Sequence, residues 1–282
     1  MNRLATGEIS FFKREGYLII KGVLDPDLMV RARERNWAGA PDRMKPDDPI
    51  TWIGPWRPEE ETPESEENCR VGHYWQYRAP AREEWLVRMT VANPIIVGWV
   101  EQLLGEGTFG VRHYVRGIYC LLPKGGTPDK PGVSQKLVCH CDVNPDKLHS
   151  TPFQRLLKAG VGAVGLIAPI PPNGGAFTVW PGTHKIIYDL MIRTEGLARN
   201  EAYKQRIIDF NSDRHVDGWG DASDVLLWHC LLAHTAGANR SEKLQMREAV
   251  LFDYPQPEAE KPKASYEDMW EDWSDEVRAT AG

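Results

Sequence analysis

Three residues of the sequence have the types and the spacing of a metal centre. His140 and Asp142 stand two residues apart, and His234 follows much later in the chain. In an extended strand, residues i and i+2 point to the same face, so one ion can bind both His140 and Asp142. Two imidazoles and one carboxylate on one face of an octahedron form the ligand set of non-haem Fe(II) oxygenases. The sequence therefore predicts an iron site at these three residues.

Other interpretations of the same segments stay open. A His-x-Asp pair also arises by chance, and His229 is a second histidine close to His234. Because the two are five residues apart, they face opposite sides of an extended segment, and the one that binds no metal fits a core position. Cys139 and Cys141 flank His140 and suggest zinc, although the paired cysteine spacing of structural zinc sites is missing. The competing functions are a zinc-binding hydrolase and a non-catalytic metal-binding protein.

The elements that must position these residues are predicted to be mainly strands. After Gly110, short apolar segments are separated by Gly and Pro turns, a pattern typical of a sandwich or jelly roll. The predicted strands are 111–122, 136–140, 161–170, 176–180, 224–228 and 248–253. The fold class that follows is mainly β with flanking helices.

The N-terminal part of the chain is predicted to be mostly helical. Its predicted elements are helices at 10–15, 28–36 and 94–104, and a strand at 17–23. Residues 41–80 are rich in Pro, Glu and Trp without periodicity, which predicts a long functional loop. We expect a single domain over 1–282, with a helical part and loop at 1–110, a β core at 111–254, and a tail at 255–282 in which Trp270 and Trp273 are possible docking points.

Composition narrows the class of protein. The chain has 282 residues, of which 41% are hydrophobic and 26% charged, so a sizeable core is expected. The net charge of −6 disfavours nucleic-acid binding. An odd number of cysteines, five, argues against a secreted disulfide framework, and neither a signal peptide nor an apolar run of membrane-spanning length is present. We expect a cytoplasmic protein that acts on a small molecule and not at a membrane.

Five segments of the sequence resemble one known family in the order in which they occur there: 15–25, 93–105, 173–185, 232–241 and 246–250. The third reads Asn-Gly-Gly-Ala-Phe-Thr-Val-Trp-Pro-Gly-Thr-His-Lys, similar to that family's Gly-Gly…Pro-Gly-Ser-His-Lys segment. The family is the phytanoyl-CoA dioxygenase family of Fe(II)/2-oxoglutarate oxygenases. The resemblance implies a double-stranded β-helix, a cupin-like jelly roll, with Fe(II), 2-oxoglutarate as cosubstrate and O2.

By position, the resemblance assigns the iron to His140, Asp142 and His234, and the distal carboxylate of 2-oxoglutarate to Arg247. A guanidinium binds a carboxylate through two parallel hydrogen bonds and keeps its charge, which suits this role. A surface ion pair is the alternative role of Arg247, and Arg240 is the competing cation.

Further positions follow from the same resemblance. Relatives have Ser or Thr two residues after the distal histidine, where this chain has Ala236, so Thr235 is the expected substitute as a cosubstrate hydrogen-bond donor. The segment 73–78 fits either a substrate mouth or a packed loop, and His184 fits either the pocket or a turn cap.

The reaction that the resemblance implies is hydroxylation of an unactivated C–H bond, with release of succinate and CO2. Related halogenases replace the carboxylate ligand with a small residue, so the presence of Asp142 favours hydroxylation. Desaturation and ring formation use the same ligands. The sequence fixes neither the primary substrate nor the oligomeric state.

Overall fold

The computed structural model describes residues 3–65, 67–124, 138–142, 160–194, 196–241, 243–256 and 267–282. Ten strands lie within these ranges: β1 Tyr17–Ile20, β2 Asn68–Val71, β3 Tyr74–Tyr77, β4 Gly117–Leu121, β5 Gly160–Leu166, β6 Phe177–Val179, β7 Val216–Gly218, β8 Val225–His229, β9 His234–Ala236 and β10 Arg247–Pro255. The α-helices of the same ranges are α1 Thr6–Glu15, α2 Pro26–Ala38, α3 Glu84–Met89, α4 Pro94–Leu104, α5 Thr183–Arg193, α6 Gly196–Phe210 and α7 Asp275–Ala279.

The strands form two antiparallel sheets. The larger has seven strands in the order β1-β8-β5-β10-β4-β3-β2, and the smaller has three in the order β7-β6-β9. Phe177 and Val179 of the small sheet pack in one apolar cluster with Val164, Leu226 and Trp228 of the large sheet. The two sheets therefore face each other, and the predicted fold class, a double-stranded β-helix with flanking helices, is confirmed.

Alternation along the strands separates the two faces of the large sheet. Val250 and Phe252 of β10 belong to a core that also holds Phe12, Ala32 and other residues of α1, α2 and α4. Ala249 belongs to the cluster between the two sheets instead. Odd-numbered residues of β10, including Arg247, are thereby directed to the side where the sheets meet.

Local sequence signals set the helix ends. The Asn93 side chain accepts a hydrogen bond from the Ile95 N–H, Pro94 is the first residue of α4, and Gly105 follows its last turn. These are the N-cap, first-turn proline and terminal glycine expected of a helix. The predicted helix 94–104 therefore matches α4 in both bounds.

Several predicted elements differ from the structure. The 41–80 segment is not a loop throughout, because β2 and β3 pair as a hairpin and extend the large sheet beside β4. β1, β2 and β3 all belong to that sheet, so the β core begins before residue 111. The predicted strand 136–140 falls partly on residues 136 and 137, outside the described ranges, and His140 forms only an isolated bridge. Helices α5 and α6 were not predicted.

The C-terminal segment packs against the N-terminal helix. Trp273 lies 5.6 Å from Phe12 and Trp270 lies 6.5 Å from it, measured between ring centroids. Both tryptophans are buried, as expected of docking points. Among the described helices, none has the length and apolar character needed to cross a membrane.

Candidate active site

The backbone brings the two candidate histidine ligands together. His140 N–H donates to the His234 carbonyl at 2.9 Å, and His234 N–H donates to the His140 carbonyl at 2.8 Å. This antiparallel bridge puts both side chains on one face, and their ring centroids are 4.4 Å apart. Residues separated by 94 positions in the sequence thus become neighbours through one pair of hydrogen bonds.

A backbone carbonyl fixes the tautomer of His234. Its Nδ1 lies 2.8 Å from the Leu232 carbonyl oxygen, which can only accept, so Nδ1 carries the proton. The Nε2 lone pair then faces Oδ1 of Asp142 at 3.8 Å, too far for a hydrogen bond. An imidazole with Nδ1–H on a carbonyl and a free Nε2 is the usual form of a metal-binding histidine.

Loss of solvation keeps both imidazoles neutral. Burial lowers the pKa of His234, although Asp142 acts in the opposite direction. The pKa of His140 is also lowered, first by partial loss of solvation and then by His234, although this residue is exposed to solvent at one side. Neutral imidazoles are the form that binds a metal, because protonation would occupy the ligating lone pair.

Asp142 is held by two side chains that the sequence did not single out. The indole Nε1–H of Trp228 donates to Oδ2 at 3.1 Å, and a guanidinium nitrogen of Arg116 lies 3.8 Å from Oδ1. Trp228 can reach Asp142 because the indole crosses Gly162 of the neighbouring strand, where a Cβ would lie 2.2 Å from the ring. No sequence motif marks either residue, so only the tertiary structure could reveal them.

The three candidate ligands form a cluster whose ligation geometry is incomplete. Within the described ranges, no group of three or more His, Cys, Asp or Glu side chains is placed closely enough to hold a metal ion as it stands. The donor set of His140, Asp142 and His234 nevertheless suits iron, because it consists of two neutral imidazoles and one carboxylate.

His229 lies in a different environment from His234. Its ring stacks on Trp273 with centroids 4.9 Å apart, and its Nδ1 accepts a hydrogen bond from the Leu231 N–H. Only 2% of its surface is exposed. The geometry therefore supports His234 as the ligand and gives His229 a core position.

The cysteines that suggested zinc point away from the site. Cys139 and Cys141 belong to the apolar cluster that contains Trp180 and residues of α5 and α6. The Cys139 thiol donates to the Ile207 carbonyl and the Cys141 thiol to the Leu231 carbonyl. Burial raises the pKa of both thiols, so they remain protonated.

Arg247 is a buried cation with an unsatisfied donor. Only 4% of its surface is exposed, and one terminal nitrogen donates to the Tyr119 carbonyl at 3.4 Å. Among the residues that the structure describes, its Nε finds no hydrogen-bond partner. Loss of solvation lowers its pKa to about 10, so the charge persists at neutral pH. A buried guanidinium with a spare N–H fits an anionic ligand. Arg240, the competing cation, is exposed.

The remaining predicted positions are placed as follows. Thr235 pairs with Thr178, whose hydroxyl donates to Asp217, and strand alternation directs Thr235 away from the face that carries His234. His184 is fully buried in α5, with its Nε2 against the Lys13 carbonyl. In the segment 73–78, Trp75 pairs in β3 as a core residue.

Comparison with known proteins agrees with the fold. The chain aligns with a solved structure described as the non-heme alpha ketoglutarate dependent carbocyclase SnoK from nogalamycin biosynthesis, at 21% identity, over 90% of this chain and 84% of that one, with a TM-score of 0.54. EctD from S. alaskensis with bound Fe aligns at 14% identity over 90% and 77%, with a TM-score of 0.46. The similarity to SnoK shows the fold.

No curated protein matches the chain in a sequence comparison. The model of the phytanoyl-CoA dioxygenase (PhyH) family, however, matches residues 12–249, which is most of the chain. We conclude that the protein belongs to the phytanoyl-CoA dioxygenase family.

Proposed function

We propose that the protein is an Fe(II)- and 2-oxoglutarate-dependent dioxygenase that hydroxylates an unactivated C–H bond of a small molecule. One arrangement carries the proposal: neutral His140 and His234 beside Asp142, with the buried Arg247 on the sheet face that borders them. Family membership, and the alpha-ketoglutarate dependence named for SnoK, support the same class of reaction.

The chain's residues divide the work of binding. His140, Asp142 and His234 would hold the iron, and Trp228 keeps the Asp142 carboxylate oriented through Oδ2. Arg247 would bind the distal carboxylate of 2-oxoglutarate. Thr235 is not part of this proposal, since it lies on the other face of its strand.

The apolar cluster between the sheets, which includes Phe177, Val179 and Leu226, keeps bulk water from the inner side of the site. Such exclusion limits side reactions and strengthens electrostatic contacts. When bound, iron with 2-oxoglutarate and O2 supplies the oxidation that inserts one oxygen atom into the C–H bond as succinate and CO2 are released. The protein contributes ligand placement and a shielded pocket.

Succinate formation tests this proposal. The purified chain, supplied with Fe(II), ascorbate, O2 and 2-oxoglutarate, should form succinate slowly even without substrate. His140→Ala, Asp142→Ala and His234→Ala should each abolish it, whereas His113→Ala, a change at an exposed histidine, should not. Succinate formation that persists in the three variants would contradict the ligand assignment.

The same variants separate the competing functions. A zinc hydrolase or a non-catalytic metal-binding protein would bind metal through the three ligands without consuming 2-oxoglutarate, and Arg247 would have no part in it. With a substrate in hand, a product that gains one oxygen atom supports hydroxylation. A product that instead loses two hydrogen atoms would indicate desaturation or ring formation.

A further inference from the structure

A recess with a basic lining lies beside the candidate active site. It has a volume of about 540 Å3 and lies between the start of β4 and the 3-10 helix Ala79–Arg82. Its charged and aromatic lining comprises Arg78, Arg82, Arg116, Tyr114, Tyr119 and Glu67. Three guanidinium groups and one carboxylate give this lining a surplus of positive charge.

Backbone contacts hold the walls of the recess together. The Val115 N–H donates to the Ala81 carbonyl at 2.9 Å, which ties the segment before β4 to the 3-10 helix. Gly117 has φ 133°, and a Cβ there would lie 2.8 Å from the Tyr77 carbonyl oxygen. This close approach, which requires glycine, sets Arg78 beside the start of β4.

The three arginines are held in different ways. Arg116 is fixed by Asp253, whose Oδ1 lies 3.0 Å from its Nε. Arg78 bonds to the exposed Glu64. Arg82 lies over the Tyr114 ring at 5.4 Å and, within the described part of the chain, has no carboxylate within 4.0 Å. Arg82 is thus the cation of the recess whose charge is least compensated.

The recess adjoins both the proposed iron ligands and the proposed 2-oxoglutarate-binding arginine. The Arg116 guanidinium that lines it lies 3.8 Å from Oδ1 of Asp142. Tyr119, which also lines it, supplies the carbonyl that Arg247 contacts. A molecule seated in the recess would therefore lie next to the residues proposed to bind iron and 2-oxoglutarate.

We propose that this recess binds the anionic group of the primary substrate, which makes that substrate a small molecule bearing a carboxylate or a phosphate. The inference rests on the proposed function for the reaction, but the anion binding itself does not require turnover. Guanidinium groups recognise both anions through paired N–H donors.

Calorimetric titration of the full-length protein with simple probes tests the inference. The probes are phenylacetate, phenyl phosphate and the neutral phenylacetamide, titrated under anaerobic conditions with Fe(II) and 2-oxoglutarate present and again without them. An anion should bind at least about tenfold more tightly than the amide, the ratio expected for a hydrogen bond to a charged group. Whichever anion binds more tightly identifies the substrate's charged group, and either result supports the proposal.

Two substitutions locate the binding. Arg82→Gln and Arg78→Gln should each raise the Kd of the anionic probes about tenfold while leaving the Kd of phenylacetamide unchanged. Arg88→Gln, a change at an exposed arginine that pairs with Glu84 on α3, serves as the matched control and should change neither Kd. Equal binding of amide and anions, or wild-type binding of phenylacetate by both recess variants, would overturn the proposal.

The cosubstrate offers a further check, because 2-oxoglutarate is itself an anion. If the probes compete with 2-oxoglutarate and Arg82→Gln weakens 2-oxoglutarate binding, the recess is the cosubstrate site and the inference is wrong. An anion preference that persists without Fe(II) supports the recess even if the chain forms no succinate. Failure of the proposed function and failure of this inference are therefore distinguishable.

Discussion

Arg247 keeps its charge in surroundings that disfavour it. Its pKa is lowered to about 10 by burial, and its Nε has no hydrogen-bond partner in the described part of the chain. A folded-state pKa below that of the unfolded chain means that this charge costs stability at neutral pH. A residue that weakens the fold in this way fits a ligand-binding role better than a structural one.

Arg247→Met should therefore separate stability from binding. Removing an incompletely paired buried charge at similar volume is expected to raise the free energy of unfolding by about 1–3 kcal/mol. The affinity for 2-oxoglutarate should fall roughly 30- to 5,000-fold, as for loss of one side of a buried charge pair. Chemical denaturation and 2-oxoglutarate titration measure the two effects, and iron content should not change.

Arg240→Met is the matched comparison for Arg247→Met. Since Arg240 is exposed, its replacement should change neither the free energy of unfolding nor the affinity for 2-oxoglutarate by much. A large loss of 2-oxoglutarate affinity in Arg240→Met, with normal affinity in Arg247→Met, would contradict this assignment and identify Arg240 as the residue that binds 2-oxoglutarate.

Residue types and motif order were enough to propose the ligand set and Arg247 from the sequence. Trp228 and Arg116 were not proposed, because their roles come from tertiary contacts with Asp142 and not from any local pattern. Thr235 was proposed as the substitute for the Ser or Thr that relatives carry at the position of Ala236. Adjacent residues of a strand face opposite sides, so β9 directs Thr235 away from the face that carries His234.

At the level of elements, β5 and β8 determine how Asp142 is oriented. Gly162 stands opposite Trp228 in their register, and the missing side chain lets the indole cross the strand. The absence of a side chain at Gly162 therefore permits the hydrogen bond from Trp228 to Asp142 at the candidate site.

Gly162→Ala should disturb both the sheet and the site. Its Cβ would lie 2.2 Å from the Trp228 ring, so the indole must move, and overpacking of this kind costs about 1–3 kcal/mol. Displacing the indole from Asp142 should also weaken iron binding about 10- to 100-fold. Urea denaturation and Fe(II) titration test the two effects.

Gly98→Ala serves as the control, because this second glycine-to-alanine change is expected to stabilise the protein. A Cβ at Gly98, in α4, would meet no atom of the described residues within 4 Å, so alanine should stabilise the helix by about 0.5–1 kcal/mol. Unchanged stability and iron affinity in Gly162→Ala would contradict the coupling between Trp228 and Asp142.

The elements predicted best were those with local end signals. Helix α4 has Asn93-Pro94 before it and Gly105 after it. The β2–β3 hairpin was missed because its strands mix polar and aromatic residues and gain stability from pairing with β4, a long-range contact without a local signal.

At the scale of the whole molecule, the two ends of the chain meet behind the site. Trp270 and Trp273 of the C-terminal segment pack with Phe12, His184 and His229. One buried histidine of this aromatic cluster, His184, links global stability to pH.

Stability should fall as the pH drops from about 6.5 to about 4. Burial lowers the pKa of His184 to about 4, so in this window the unfolded chain binds a proton that the folded chain does not. The shift amounts to about 3 kcal/mol at 1.36 kcal/mol per pKa unit. His184→Gln should make the decline shallower, as measured by urea denaturation at several pH values.

His113→Gln, at an exposed histidine, should leave the slope of stability against pH as in the wild type. Parallel curves for His184→Gln and the wild type would mean that other groups, the candidate ligands among them, dominate the acid sensitivity.

The central claim, that one site binds both Fe(II) and 2-oxoglutarate, is tested most directly by anaerobic titration monitored in the visible spectrum. Adding 2-oxoglutarate to the Fe(II)-loaded protein should produce the weak charge-transfer band of the chelate and saturate at one equivalent per chain. Asp142→Ala should abolish the band. A titration that yields no band with the wild-type chain, or an equal band with Asp142→Ala, would contradict the account.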